Sequence, residues 1–87
     1  MSAEYSARIY IKLKESVLDP QGQAVTHALH NLGYDELKEV RVGKFVELKL
    51  LASDEKMATD RVTEYCDKLL ANPVIESYQF DLTILTS

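Results

Sequence analysis

The sequence has few of the residues from which catalytic and ligand-binding motifs are made. It contains one cysteine, Cys66, so no disulfide can form within the chain and no cysteine framework indicates secretion. It has only three glycines, and neither a GxxxxGK(S/T) loop nor a GxGxxG pattern occurs. The pair Gly43-Lys44 alone is too common to indicate a phosphate-binding loop. The usual glycine-rich phosphate loops are therefore excluded.

Long apolar runs and a surplus of basic residues are absent too. No stretch approaches the ~20 apolar residues that a membrane-spanning helix needs, and the N-terminus lacks the basic start and apolar segment of a signal peptide. The net charge of −4 disfavours nucleic acid and anionic membranes as main partners, since both select basic surfaces. We expect a cytoplasmic protein that binds neither nucleic acid nor membrane.

What the sequence does contain is typical of one small globular domain. Hydrophobic residues make up 46% and charged residues 28% of the 87 residues, and there are no repeats, low-complexity tracts or linkers. We expect a single domain spanning residues 1–87. A chain of this length buries only ~60–65% of its unfolded surface, so oligomerisation is a natural way to extend its core.

The first half of the chain predicts a strand followed by a helix. Side chains alternate over residues 5–14, with Ala7, Ile9, Ile11 and Leu13 on one face and Arg8, Tyr10, Lys12 and Lys14 on the other. The helix is predicted to have Asp19 as its N-cap, Pro20 at its first position and Gly33 as its stop. Its apolar stripe consists of Ala24, Val25, Ala28, Leu29 and Leu32.

The segment over residues 36–52 could form one strand or a hairpin about Gly43-Lys44. Five apolar residues share a face only if the strand runs straight through Lys44: Val40, Val42, Val46, Leu48 and Leu50. We therefore predict one long strand, bent or bulged at Gly43.

A second helix and a last strand complete the predicted order. The helix should begin at a Ser53 cap, with Asp54 and Glu55 in its first turn, and end at Asn72-Pro73. Its buried stripe consists of Ala58, Val62, Tyr65, Cys66 and Leu69, and the strand carries Tyr78, Phe80, Leu82 and Ile84 in phase. We predict an α+β fold, a β-α-β-α-β two-layer sandwich with three long strands in one sheet and two helices on one face. A ferredoxin-like variant with a split middle strand is the alternative.

The first helix has no charged residue on its outer face. Between Pro20 and Tyr34 there is no Asp, Glu, Lys or Arg, and the face opposite the apolar stripe carries Gln23, Thr26, His27, His30 and Asn31. Because interface centres are depleted of charge, we infer that another subunit covers this face. The alternative is a solvent-exposed helix that happens to be uncharged. The sheet face away from the helices, with Tyr10 and Phe45 among mixed charges, is a second candidate for self-association.

The sequence gives only weak evidence for a group of catalytic residues. His27 and His30 are three residues apart, but spacing fixes no third metal ligand, so surface or interface histidines are favoured. Cys66 falls on the apolar stripe of the second helix, where an inert buried thiol is the default. The sequence argues against an autonomous enzyme, and we assign no catalytic, cofactor-binding or metal-binding residue.

Three stretches carry a family resemblance: LKESVLDPQG at 13–22, VRVGKFVEL at 40–48 and LLANPVIESY at 69–78. Together they resemble the PurS family, the small S subunit of phosphoribosylformylglycinamidine (FGAM) synthase. The resemblance runs from about Ile9 to Phe80, and the segments follow the family's order and spacing.

The resemblance implies a non-catalytic accessory subunit of a ligase of de novo purine biosynthesis. The implied partners are a large synthetase subunit, which uses ATP and magnesium, and a glutaminase subunit, which releases ammonia from glutamine. Together they convert formylglycinamide ribonucleotide to formylglycinamidine ribonucleotide. The small subunit is implied to bridge them, to hold no cofactor itself and to form dimers or tetramers. The competing interpretations are a ferredoxin-like module that binds an effector at a dimer interface, and a small enzyme using His27 and His30.

We predict that the partner interface lies around the start and the uncharged face of the first helix. Its residues are Asp19, Pro20, Gln21, Gly22, Gln23, His27, His30 and Asn31, with Arg41, Gly43 and Lys44 as second-choice contacts.

Overall fold

The computed structural model describes residues 2–86 as a three-stranded antiparallel sheet with two helices. Along the chain the elements are β1 (Ala3–Leu13), α1 (Pro20–Asn31), β2 (Gly43–Ala52), α2 (Glu55–Tyr65), a π-helical segment (Cys66–Leu70) and β3 (Glu76–Thr86). The strands lie in the order β2-β1-β3. The predicted α+β class, the β-α-β-α-β order and the single three-stranded sheet are confirmed.

Strand β1 is central because both neighbours pair with it along nearly its whole length. Ile9 lies opposite Val46 of β2 and Phe80 of β3. Ile9 is buried together with Ala7 and Ile11, which share its face, as the alternation predicts. The burial also fixes the register, since a slip of one residue would turn this apolar face towards solvent.

Helix α2 packs on this apolar face of the sheet. The fully buried side chains of α2 are Ala58 and Val62, and Cys66 at the start of the π-helical segment is also fully buried. The N-cap is Asp54, whose carboxylate accepts the Met57 N–H at 2.8 Å. The predicted cap at Ser53 is wrong by one residue, because the Ser53 hydroxyl instead contacts the Met57 sulfur at 3.4 Å.

The end of this helix departs from the predicted stripe. From Cys66 the backbone forms wider, π-helical turns, so the position that faces the core moves from Leu69 to Leu70. Leu70 packs against the core, whereas Leu69 is 83% exposed and Tyr65 is also exposed. The predicted burial of Leu69 is wrong for this reason. The predicted burial of Tyr65 is wrong as well, although Tyr65 lies before the π-helical segment.

Strand β2 begins at Gly43, so the predicted strand over 36–52 is too long at its start. The N–H groups of Val40 and Val42 donate to the side chains of Thr26 and Asp19, and they are therefore unavailable to a strand ladder. From Gly43 onward the strand runs without a turn, and its alternate apolar residues share the helix-facing side as predicted.

Helix α1 begins and ends where the sequence predicts. Asp19 is its N-cap and Pro20 its first residue. Gly33 ends it with a φ of 101°, a left-handed conformation that favours glycine, and the Tyr34 N–H donates back to the Leu29 carbonyl.

The apolar stripe of α1 is not buried within the chain. Only Leu29 of the stripe is partly buried, whereas Val25 is 40% exposed and Leu32 73% exposed. Helix α2 supplies the layer over the sheet, and α1 reaches beyond it. The chain is accordingly long and thin, with extents of 56 × 26 × 14 Å. The fold class stands, but the predicted burial of this stripe inside a single chain is wrong.

Candidate partner-binding surface

The start of α1 is held by a buried carboxylate. Asp19 is only 4% exposed; its Oδ1 accepts the Gly22 N–H at 3.0 Å and its Oδ2 accepts the Val42 N–H at 2.7 Å. One side chain therefore caps the helix and also ties it to the segment that leads into β2. We call that segment, residues 34–42, the strap.

These contacts also set the charge state of Asp19. The hydrogen bond from the Gly22 N–H, followed by that from Val42, lowers the pKa of the Asp19 carboxyl, and the nearby Arg41 guanidinium lowers it further against the opposing effect of burial. The carboxylate is therefore ionised throughout the neutral range, and both N–H donors bond to a charged acceptor.

We expect the variant Asp19→Asn to be less stable than the wild type at pH 7, with Tm lower by roughly 4–8 °C. The amide keeps one acceptor oxygen but presents its NH2 group to the second N–H. Because the folded pKa of Asp19 is lowered, its stabilisation is present above the unfolded pKa of about 3.8 and is lost as the pH falls through the folded value. Thermal melts between pH 3 and pH 7 should show the difference between the two proteins shrinking in acid.

The matched control for this prediction is Asp60→Asn, which alters an exposed carboxylate on α2. Its ion pair with Lys56 is a surface pair and contributes little to stability. An Asp19→Asn protein whose deficit in Tm stayed constant down to pH 3 would contradict the assigned role of the carboxylate.

Arg41 braces the same junction from the strap. Its Nη2 donates to the carbonyl oxygens of Lys14 at 3.0 Å and Val17 at 3.1 Å, which belong to the turn that leaves β1. Arginine can satisfy several carbonyls at once because its donors lie in one rigid plane. Arg41 thus holds the turn before α1 in place.

Two further contacts fix the strap along α1. The Thr26 hydroxyl donates to the Gly22 carbonyl at 2.8 Å and accepts the Val40 N–H at 3.1 Å. Nε2 of His30 lies 2.7 Å from the Leu37 carbonyl oxygen. Part of the uncharged helix face is therefore covered by the chain's own strap.

The close approach of helix and strap requires glycine at position 22. A Cβ built on Gly22 would collide with the backbone carbonyl oxygen of Val40 and would also press on the Asp19 carboxylate. Because a backbone atom cannot rotate away, any larger residue must push the strap off the helix.

The structure brings most of the predicted interface residues to one end of the molecule. One groove between α1 and the strap is lined by residues that include Asp19, Gln23, His27 and Arg41. A neighbouring groove includes Asp19, Gln21, Gly43 and Lys44. Pro20 is exposed at the start of the helix and Asn31 at its end, while Gly22 is buried and His30 lies over the strap.

Arg41 is the only strap residue that sequence reasoning included in this surface, and the other strap residues that line it were missed. Lys38 and Glu39 line the groove opposite His27, and they place both charge signs beside an otherwise uncharged helix face. Lys44 is paired with Glu76 at 3.4 Å, so it is tied to the start of β3. The strap lies beside the helix because the Val40 N–H bonds to Thr26, 14 residues away, and the Val42 N–H bonds to Asp19, 23 residues away. Sequence spacing does not show either contact.

The remaining candidates lie apart from this surface. Cys66 is buried beneath α2, and burial raises the pKa of its thiol, which keeps it protonated. Tyr10 and Phe45 pair on the open sheet face, with ring centroids 5.4 Å apart. Among residues 2–86, no three His, Cys, Asp or Glu side chains cluster as a metal site, and no helix has the length and apolar character needed to cross a bilayer.

Comparison with known proteins gives one consistent set of relatives. The family profile described as PurS, phosphoribosylformylglycinamidine (FGAM) synthase, matches residues 6–84. A Synechocystis protein named phosphoribosylformylglycinamidine synthase subunit PurS is 52% identical over 85 residues, which cover 98% of this chain and 85% of the relative.

Solved structures agree with the sequence comparison. The crystal structure of Methanocaldococcus jannaschii PurS, described as one of the subunits of formylglycinamide ribonucleotide amidotransferase in the purine biosynthetic pathway, has a TM-score of 0.82 and 38% identity, covering 93% of this chain and 98% of that one. A chain in the structure of PurLQS from Thermotoga maritima has a TM-score of 0.84 and 28% identity, covering 92% of this chain and 98% of that one.

Proposed function

This chain belongs to the PurS family, and from that premise we propose that it joins the synthetase and glutaminase subunits of FGAM synthase into one working complex. It is an accessory subunit of a ligase of purine biosynthesis. The PurLQS structure contains a chain of the same fold, which supports a place for this one beside the two larger subunits.

The proposed role is coupling rather than chemistry. In the complex, the synthetase subunit uses ATP to activate the amide oxygen of formylglycinamide ribonucleotide, and the glutaminase subunit hydrolyses glutamine. The ammonia released by one subunit replaces the activated oxygen on the other. Holding the two chains together raises the local concentration of ammonia at its acceptor, and this chain needs no reacting side chain for that task.

The observation that best supports docking is the uncharged outer face of α1, a helix that the strap holds in place. Exposed Gln23, His27 and Asn31 line the free part of the α1 face, where charged side chains would oppose burial. The strap and the Asp19 carboxylate fix this helix in one position, so little conformational freedom would be lost on binding.

We propose two kinds of role for the predicted residues. Those proposed to contact a partner subunit are Pro20, Gln21, Gln23, His27, Asn31 and Lys44, all of which are exposed. Those proposed to position them are Asp19, Gly22, His30, Arg41 and Gly43, whose contacts are within the chain.

We expect the double variant His27→Glu and Asn31→Glu to bind the two larger subunits at least ~100-fold more weakly while remaining folded. Burying an unpaired carboxylate costs about 3–5 kcal/mol, which corresponds to two or more orders of magnitude in affinity. Size-exclusion chromatography of the three subunits, with circular dichroism of the variant alone, measures both quantities.

The control is Arg61→Gln, which also lowers the net charge but lies on the exposed side of α2. It should enter the complex like the wild type. If the double variant bound the larger subunits as tightly as the wild type, α1 would not be the docking face. If Arg61→Gln also lost affinity, the cause would be the net charge of the chain instead.

We also propose that residues 1–87 act as one domain and that the protein works in the cytoplasm, where purine precursors are assembled. The alternative of an effector-binding module is not favoured, because the relatives and structures compared above are PurS proteins.

A further inference from the structure

A cavity at one end of the open sheet face is positively charged, although the chain is negative overall. It has a volume of about 440 Å³ and lies where β1 ends and where β2 and β3 begin. Its charged lining residues are Lys12, Arg41 and Lys44, and no carboxylate within residues 2–86 lines it. Because the whole chain has a net charge of −4, this local excess of positive charge differs from the surface in general. The cavity therefore favours an anion.

Lys12 is the cation of this cavity that has no acidic neighbour across the sheet. It lies opposite Gly43 of β2 and Ser77 of β3, neither of which is charged. Arg8, on the same face of β1, lies opposite an acidic residue on each neighbouring strand. In the described part of the chain, no carboxylate oxygen lies within 4 Å of the Lys12 ammonium. Lys12 can therefore bind an external anion without first breaking an ion pair.

Arg41 and Gly43 complete the cationic end of the cavity. Only Nη2 of Arg41 donates to carbonyl oxygens of residues 2–86, so its other guanidinium donors are available to a ligand. A Cβ on Gly43 would lie 3.3 Å from the Cβ of Lys12, so glycine keeps the space beside Lys12 open. Glu15 and Glu39 line a smaller neighbouring cavity with these two cations, but neither forms an ion pair with them.

An exposed aromatic pair lines the same cavity. Tyr10 and Phe45 are both exposed, and their ring centroids lie 5.4 Å apart. Tyr10 precedes Lys12 by two residues on the same face of β1, which separates them by ~7 Å along the strand. Exposed aromatic rings are platforms on which a flat ligand ring can stack. Ser77 and Gln79 line the cavity from β3 and add a hydroxyl and an amide.

We propose that this cavity binds a nucleotide, a flat heteroaromatic ring joined through a sugar to a phosphate. Lys12 and Arg41 hold the phosphate, and the base stacks on Phe45 and Tyr10. A simple anion would use only the cations and an apolar ring only the aromatic pair, whereas a nucleotide uses both. The volume lies within the ~300–1,000 Å³ of small-molecule sites. The site adds a ligand to the docking subunit and leaves its docking role as proposed above.

Titration of the isotope-labelled chain with AMP, followed by two-dimensional NMR, tests the site without the larger subunits. We expect saturable shifts of the amide signals around Gly43 and Ser77. Lys12→Gln should weaken AMP binding at least ~10-fold, and Phe45→Leu at least ~5-fold. The matched control is Lys49→Gln, which removes the same charge from the far end of the same sheet face and should bind AMP like the wild type. The same spectra show whether each variant is folded.

Adenosine and inorganic phosphate test the two halves of the ligand separately, and we expect each to bind more weakly than AMP. Three results would overturn the proposal: no saturable shift at millimolar AMP, adenosine or phosphate binding as tightly as AMP, or an equal loss with Lys49→Gln and Lys12→Gln. The last result would mean a diffuse attraction of anions to the sheet face. None of these results bears on docking of the larger subunits, which the His27 and Asn31 variants test separately.

Discussion

Replacing Gly22 by alanine is expected to detach the strap from α1 and to abolish docking of the larger subunits. Two effects oppose each other. Alanine favours a helix over glycine by about 1 kcal/mol, but its Cβ would collide with the Val40 carbonyl oxygen and press on Asp19. Overpacking against atoms that cannot move aside costs about 1–3 kcal/mol, and it also breaks the Asp19 contact to Val42. The collision wins, and we expect Tm to fall by roughly 5–15 °C.

Gly33→Ala is the matched control for this prediction. Gly33 has a positive φ, so alanine is strained there by about 1–2 kcal/mol, but nothing lies within 4 Å of the new Cβ. We expect Gly33→Ala to lower Tm and still enter the complex, whereas Gly22→Ala should lower Tm and fail to enter it. If both variants docked equally well, the strap would have no part in presenting α1.

Ile9→Ala is expected to cause the largest loss of stability among core substitutions. Ile9 is fully buried at the centre of β1, opposite Val46 and Phe80 and beneath α2. Truncating a fully buried isoleucine costs about 2–5 kcal/mol, a large part of the 5–15 kcal/mol that a small domain has in total. Chemical denaturation should show a lower midpoint with an unchanged slope.

Lys12→Ala is the control for Ile9→Ala, because Lys12 lies on the same strand but on the exposed face. Its effect should stay within about 0.5 kcal/mol. A similar loss for both variants would mean that both faces of the sheet are buried in the folded protein, and the assignment of a single core face would be wrong.

The buried face of the sheet was predictable because its determinants are local. Strict alternation in β1 predicts which face is buried, whereas the strand order β2-β1-β3 and the registers depend on contacts between distant residues and were not predicted. The caps of α1 were predictable for the same reason, since Asp19, Pro20 and Gly33 each act within a few residues of their own positions.

The errors arose where distant contacts or altered helix geometry decided the outcome. Residues before Gly43 have a strand-like pattern, but their N–H groups bond to Asp19 and Thr26, which sequence spacing does not reveal. The wider turns after Cys66 shift the core-facing position by one residue, and the periodicity of an ordinary helix cannot show this.

The composition of the surface around α1 was readable from the sequence, but the separate positions of its residues were not. The missing charge drew attention to this helix, yet it gave no means of separating exposed Gln23 and His27 from His30, which contacts the strap. The apolar stripe of α1 was predicted to be core because its periodicity matches that of a buried helix face, although most of it is exposed in the structure.

The measurement that tests the coupling role most directly is synthetase turnover by the two larger subunits, with and without this chain, using either glutamine or free ammonium as the nitrogen source. We expect the chain to be required with glutamine and dispensable at high ammonium, since free ammonium reaches the synthetase without a partner to deliver it. Turnover that is indifferent to the chain with both nitrogen sources would contradict a role in joining the two active sites.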